Sequence, residues 1–168
     1  DLSIRDYFMI LLATMAMLRS AEVVAIRYNE MWLEKIMVDG KVQEVLYLYV
    51  AKSKKDQERK GALVVIAASP KDNTLCVVTF YKLMLKRRAA GQEHVFYNET
   101  KQGGGIVGGP LSKATVGWTL KRCVERIGEN AQGWASHACR RGGATAAATA
   151  AVPTTAFACS APPTISGG

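Results

Sequence analysis

Leu18-Arg19-Ser20-Ala21-Glu22, near the start of the chain, and His137-Ala138-Cys139-Arg140-Arg141, near its end, are the two stretches whose reading decides the fold. Each sets an arginine on or beside a predicted helix, and the second adds a histidine one turn away. A planar guanidinium presents paired donors to phosphate oxygens, and an imidazole one helical turn away can reach the same oxygen. Such residues, drawn from opposite ends of a chain, are the equipment of a phosphoryl-transfer site that uses no metal.

Working outward from the first stretch, the residues from about Ile4 to Leu18 have the apolar density of a helix. The run Phe8 to Leu18 is too short to span a bilayer, leads straight into Arg19 and Glu22, and has no small-residue cleavage site. It reads as a buried helix, and no membrane partner is expected. Ser20 is expected to cap a second helix, with Glu22 in its first turn where a carboxylate suits the helix dipole. Trp32 to Val38, Val42 to Val50 and Ala62 to Ala67 are rich in β-branched and aromatic residues. Asp39-Gly40 joins the first two as a hairpin turn. The polar stretch Lys52 to Lys60 is then a loop projecting from the sheet edge.

The second half reads as helices. Asp72 or Asn73 is expected to open a helix that ends with Lys86, Arg87 and Arg88, cations suited to a helix C-terminus, before Gly91. His94 to Tyr97 is expected as a short strand. Ser112 to Ile127 has a serine cap and Gly128 at its exit, and Ser136 starts the helix carrying His137 and Arg140. Past Val152-Pro153 the residues are mainly Ala, Thr, Pro, Ser and Gly. The expected organisation is one α+β domain over residues 1–153, mainly helical with a small three-stranded antiparallel sheet, and a disordered low-complexity tail over 154–168. The chain opens without Met inside an amphipathic pattern and reads as a segment of a longer protein.

Composition agrees with a polyanionic partner. Lys and Arg number 22 against 14 Asp and Glu, a net charge of +8 and a pI near 9.5, so polyanions should be attracted and bound in a salt-dependent way. Solvated basic surface with no such role accounts for the charge equally well. With 168 residues and 49% hydrophobic content the chain can bury one sizeable core. Cys76, Cys123, Cys139 and Cys159 form no CxxC pair, which suggests neither a zinc site nor a disulfide framework and fits a reducing, intracellular compartment.

The stretch Ala13 to Arg27, with Arg19 followed by Glu22, resembles the first-arginine helix pair in the catalytic domain of tyrosine recombinases of the phage-integrase family. Lys52-Ser53-Lys54-Lys55-Asp56-Gln57, followed by Gly61 and a strand, is similar to that family's β-hairpin lysine motif. Ser136-His137-Ala138-Cys139-Arg140-Arg141-Gly142-Gly143-Ala144-Thr145, ending in Ala151-Val152-Pro153, is similar to its His-x-x-Arg helix. The wording is most like that of certain mobile elements of eukaryotes and their viruses. The three motifs run in the family's order and cover residues 1 to about 153.

The resemblance implies a tyrosine-recombinase fold and DNA strand cleavage and rejoining in site-specific recombination or integration, through a phosphotyrosine intermediate and without cofactor or metal. Arg19 and Arg140 would hold the non-bridging oxygens of the scissile phosphate in the transition state. His137 would hydrogen-bond the same phosphate and help move the nucleophile's proton. Lys54 would protonate the departing 5′ oxygen, Glu22 would support the site, and Lys52, Lys55 and Arg141 would bind DNA. Double-stranded DNA is the implied partner, with homo-oligomers on DNA and, in a eukaryote, the nucleus as location.

One departure is large. The family's nucleophilic tyrosine follows the second arginine, yet Tyr7, Tyr28, Tyr47, Tyr49, Tyr81 and Tyr97 all precede His137. Nothing after Trp134 supplies the His or Trp that usually lies between arginine and tyrosine. Truncation, a frame change near Pro153 or decay of a mobile element would each account for this. The alternative function is therefore a DNA-binding relic or module with no chemistry left. A type-IB-topoisomerase-like enzyme shares the Arg-Lys-Arg-His chemistry but fits the local wording less well.

Two further patterns carry less. Gly103 to Gly108 fits GxGxxG, but the residues before it are polar and Pro110 and Ser112 separate it from the next helix, so a flexible loop is expected rather than a dinucleotide site. The clusters Lys82, Lys86, Arg87, Arg88 and Lys113, Lys121, Arg122, Arg126 are expected as solvated faces.

Overall fold

The computed structural model describes residues 3–51, 61–69, 71–99 and 106–149. Lys52, Lys54, Lys55, the residues 103–105 of the glycine-rich motif and the tail 154–168 lie outside the described residues. Within them the order is α1 (Ile4–Met15), α2 (Ser20–Ala25), β1 (Met31–Val38), β2 (Lys41–Val50), β3 (Ala62–Ala67), α3 (Val77–Arg87), β4 (Tyr97–Glu99), β5 (Ile106–Pro110), α4 (Lys113–Arg126) and α5 (His137–Thr149). The α+β class and the three-stranded antiparallel sheet agree with the sequence reading.

The apolar run of α1 makes it the central helix. Phe8, Met9 and Leu12 are fully buried and Leu11, Ala13 and Leu18 nearly so; α1 packs against α2, α3, α4 and α5. Its N-terminus is capped by Ser3, whose hydroxyl accepts from the Asp6 amide at 3.2 Å. Asp6 is a buried carboxylate, neutralised by Arg5 at 2.6 Å and faced by Arg122 of α4 at 3.8 Å. Arg5 also donates to the Tyr97 carbonyl at 2.7 Å, which ties α1 to β4. Burying such a charge is tolerable only with partners of this kind.

In the sheet, β2 is central, with β1 and β3 antiparallel on either side. Asp39 (φ 49°) and Gly40 (φ 73°) both adopt the left-handed region, as a type I′ hairpin turn demands. Trp32 pairs with Tyr47 and Tyr47 with Val65; the Trp32 and Tyr47 rings stack at 5.3 Å. The opposite face, with Leu46, Leu48, Val64 and Ile66, joins the core beside α3. Tyr81 of α3 closes that contact by donating to the Met31 carbonyl at 3.0 Å.

Several boundaries differ from the sequence reading. The first helix ends at Met15, not Leu18, because Met17 turns left-handed (φ 51°). The Leu18 amide donates to the Ala13 carbonyl at 2.9 Å and that of Met17 to Thr14 at 3.3 Å, the bonding pattern of a Schellman terminus with Met in the position Gly usually takes. Asp72 and Asn73 belong to a single 3-10 turn, which Asp72 caps at 2.8 Å through the Thr74 amide, and α3 begins only at Val77. The bond with Thr74 holds the Asp72 carboxyl below its ordinary range. The short strand starts at Tyr97, while His94 makes only an isolated bridge with Arg27. The glycine-rich stretch is not wholly loop: residues 106–110 pair with β4 as β5.

Residues 137–149 form α5, whose Cys139 is buried and whose Gly143 lies directly on α1. A side chain at Gly143 would collide with the Thr14 carbonyl oxygen and press on the Met17 side chain, whereas at Gly142 it would meet nothing within 4 Å. We therefore expect Gly143→Ala to lower stability by about 1–3 kcal/mol, the usual cost of overpacking. Gly142→Ala should leave it unchanged or raise it by up to about 1 kcal/mol through helix propensity. Urea denaturation of the two variants checks the pair.

Candidate functional site

The turn from α1 delivers Arg19 to the N-terminus of α2. Arg19, rather than the expected Ser20, occupies the cap position in extended conformation (φ −80°, ψ 154°). The cap is made by Glu22, which accepts from the Arg19 amide at 2.7 Å and from its guanidinium Nη1 at 3.0 Å. A serine at position 20 is one residue too late to cap this helix, and the glutamate at its third position takes over. The carboxylate is 8% exposed and the arginine side chain 22%. Glu22 thus fixes both the helix start and the direction of the guanidinium.

At the other end of the chain, α5 presents two faces. Cys139 and Gly143 face inward, and Cys139 is buried near Thr14 of α1; burial raises its thiol, and a hydrogen bond with Thr14 opposes that rise. The face carrying His137 and Arg141, four residues apart, is exposed. These two side chains line one concavity of about 470 Å³ together with Trp134. Arg140 is half-buried, on the shoulder between the two faces, and is not among the residues lining that concavity.

The structure therefore groups His137 with Arg141, places Arg140 beside them on the same helix, and attaches α5 to the end of α1 that leads to Arg19. Among the described residues, no hydrogen bond or ion pair occupies His137, Arg140 or Arg141. Ser136, at the start of α5, has its amide 3.7 Å from where a Cβ on Gly117 of α4 would stand, so α4 also abuts the α5 N-terminus. Lys54, Lys52 and Lys55 fall outside the described residues.

Trp134 and Gly142 were not singled out from sequence. Their signal is the Gly133-Trp134 pair just ahead of the helix and the four-residue spacing of His137 and Arg141. The basic clusters are also less uniform than expected. Lys82 pairs with Glu44 at 2.6 Å. Arg88 is exposed as expected, yet it also lies over the Tyr28 ring at 4.5 Å and donates to the Gln92 carbonyl at 3.0 Å. Lys86, Arg87, Lys113 and Lys121 do lie exposed.

The tyrosines preceding His137 are engaged structurally. Tyr28 is buried and donates to the Met84 carbonyl; burial, reinforced by Tyr97, pushes its hydroxyl to about 12. Burial likewise raises Tyr81, and Tyr7 donates to the Thr74 carbonyl at 2.6 Å. A phenol held protonated and buried is a poor nucleophile. Among the described residues no cluster of His, Cys, Asp and Glu could hold a metal ion, and no helix is long and apolar enough to cross a membrane. Comparison with known proteins finds no family model that matches the chain and no curated protein similar to it.

Replacing Glu22 tests the local architecture. Glu22→Ala leaves the Arg19 amide without its acceptor and should cost about 1–3 kcal/mol, whereas Glu22→Gln, which keeps an oxygen for the cap, should cost less. Denaturation midpoints at neutral pH distinguish the two.

Proposed function

We propose that this chain is the phosphate-gripping part of a tyrosine-type site-specific recombinase acting on double-stranded DNA, with Arg19, Arg140 and His137 as the groups that meet the scissile phosphate. The observation that carries the reading is the seating of α5 against Thr14 and Met17, at the end of α1 that leads to Arg19. Two motifs from opposite ends of the chain thus belong to elements packed on one another. The order of a two-helix start, a three-stranded antiparallel sheet and closing helices is compatible with such a domain, and Glu22 holding Arg19 adds local support.

In this reading a tyrosine hydroxyl attacks phosphorus, the bond to the 5′ oxygen breaks, and the tyrosine becomes joined to the 3′ side of the break. The two guanidiniums balance the charge of the five-coordinate phosphorus, donors in place before the reaction and needing no reorganisation. His137 takes part in moving the tyrosine's proton, and Lys54 supplies one to the departing oxygen. None of the six tyrosines follows Arg140, so residues 1–168 do not carry the nucleophile in the family's place. The exposed cations Lys86, Arg87, Lys113 and Lys121 suit a second reading as well, a DNA-binding module that assembles on DNA without chemistry.

Binding to a short duplex, followed by fluorescence anisotropy, should weaken steeply as salt rises, each phosphate contact adding to the slope; salt-independent binding would contradict both readings. A suicide DNA substrate should yield no covalent adduct with residues 1–168. Replacing 154–168 by a helix bearing one tyrosine should restore cleavage if the first reading holds, and Arg140→Ala should then slow it by about 10²–10³. Failure of every such graft leaves the DNA-binding module. An adduct on any tyrosine before residue 98 would overturn the assignment of Arg19, His137 and Arg140.

A further inference from the structure

The concavity beside α5 has a composition of its own. Its floor is formed by Ala138 and Gly142, four residues apart on one helical face, and the space in front of Gly142 is open. The turn that bounds it uses Gly133 in the left-handed region (φ 83°), where other residues are strained. Trp134, 42% exposed, supplies a flat aromatic wall. His137 and Arg141 supply donors.

A smooth floor, one indole plane and two adjacent nitrogen donors suit a ligand with a flat face and an anionic group close to it. No acidic side chain lines the concavity. A volume of about 470 Å³ falls within the range of small-molecule sites. A simple anion would make no use of the tryptophan, and a duplex backbone offers no exposed ring to stack on it. An unstacked nucleotide uses both: every base has a π face that packs on an indole irrespective of sequence, and its phosphate matches a guanidinium fork.

We infer that this concavity binds a single unstacked nucleotide, with the base against Trp134 and the phosphate on Arg141 and His137. The site shares His137 with the strand-transfer reading but rests on the shape and chemistry of the concavity, not on cleavage.

Equilibrium dialysis of the whole chain with radiolabelled dAMP tests it. Saturable binding is expected, with unlabelled dAMP competing at least ten-fold better than either inorganic phosphate or deoxyadenosine. Trp134→Ala should weaken dAMP roughly ten-fold while leaving phosphate competition intact, and Arg141→Ala should weaken both dAMP and phosphate. Gly142→Leu keeps all three side chains but fills the floor, and should abolish binding; far-UV circular dichroism and thermal melting verify that each variant is folded. Competition by phosphate equal to that of dAMP, or unchanged binding in folded Trp134→Ala or Gly142→Leu, would overturn the inference. Because dAMP has no strand to cleave, failure here leaves the strand-transfer reading standing, and failure of tyrosine grafting leaves the dAMP result standing.

Discussion

The bare backbone of Gly143 against the Thr14 carbonyl holds the two ends of the chain together. Any side chain at 143 would push α5 away from α1, and with it His137, Arg140 and Arg141. The same contact touches Met17, the left-handed residue that ends α1 and turns the chain toward Arg19. A non-glycine residue in that conformation carries a penalty of about 1–2 kcal/mol, offset here by the paired amides of Met17 and Leu18 and by burial of Leu18. The strained turn and the small-residue seat are thus two sides of one packing solution.

Around this seat the charged groups are divided between structure and surface. Asp6 gathers Arg5 and faces Arg122, Glu22 takes Arg19, and Arg88 lies over Tyr28. These cations stiffen the fold. Lys86, Arg87, Lys113, Lys121 and Arg141 are exposed, so the net positive charge of the chain reaches solvent where a polyanion could meet it. The division matters for any phosphate site: a guanidinium oriented by a carboxylate, as Arg19 is, keeps its direction at lower entropic cost than one on a free surface.

The aromatic residues show a similar division. Phe8 and Phe96 are fully buried and meet at 5.7 Å, and Tyr28 and Tyr81 are buried with their hydroxyls on backbone carbonyls. Trp118 and Trp134 are 65% and 42% exposed. Leaving an indole in water gives up the stabilisation its burial would bring, and Trp134 does so beside an arginine, a histidine and an open glycine face. That arrangement points to binding rather than to folding.

The three strands of the larger sheet were legible in the sequence to within a residue because β-branched runs and Asp39-Gly40 are local signals: pairing and turn conformation follow from neighbours along the chain. The buried character of α1 was legible for the same reason, and so was the exit of α4 at Gly128, which takes φ 82°. The cap of α2 lies one residue before the serine that propensity favours, because Glu22 reaches back to the Arg19 amide. The start of α3 differs from the sequence reading because Asp72 caps a 3-10 turn, whose sequence signal is that of a helix start. Arg19, His137, Arg140 and Arg141 could be named from motif wording, but not their grouping. Whether His137 shares a concavity with Arg140 or Arg141 depends on which face of α5 meets α1. That choice is made by Gly143, whose missing side chain matters only once another helix lies against it.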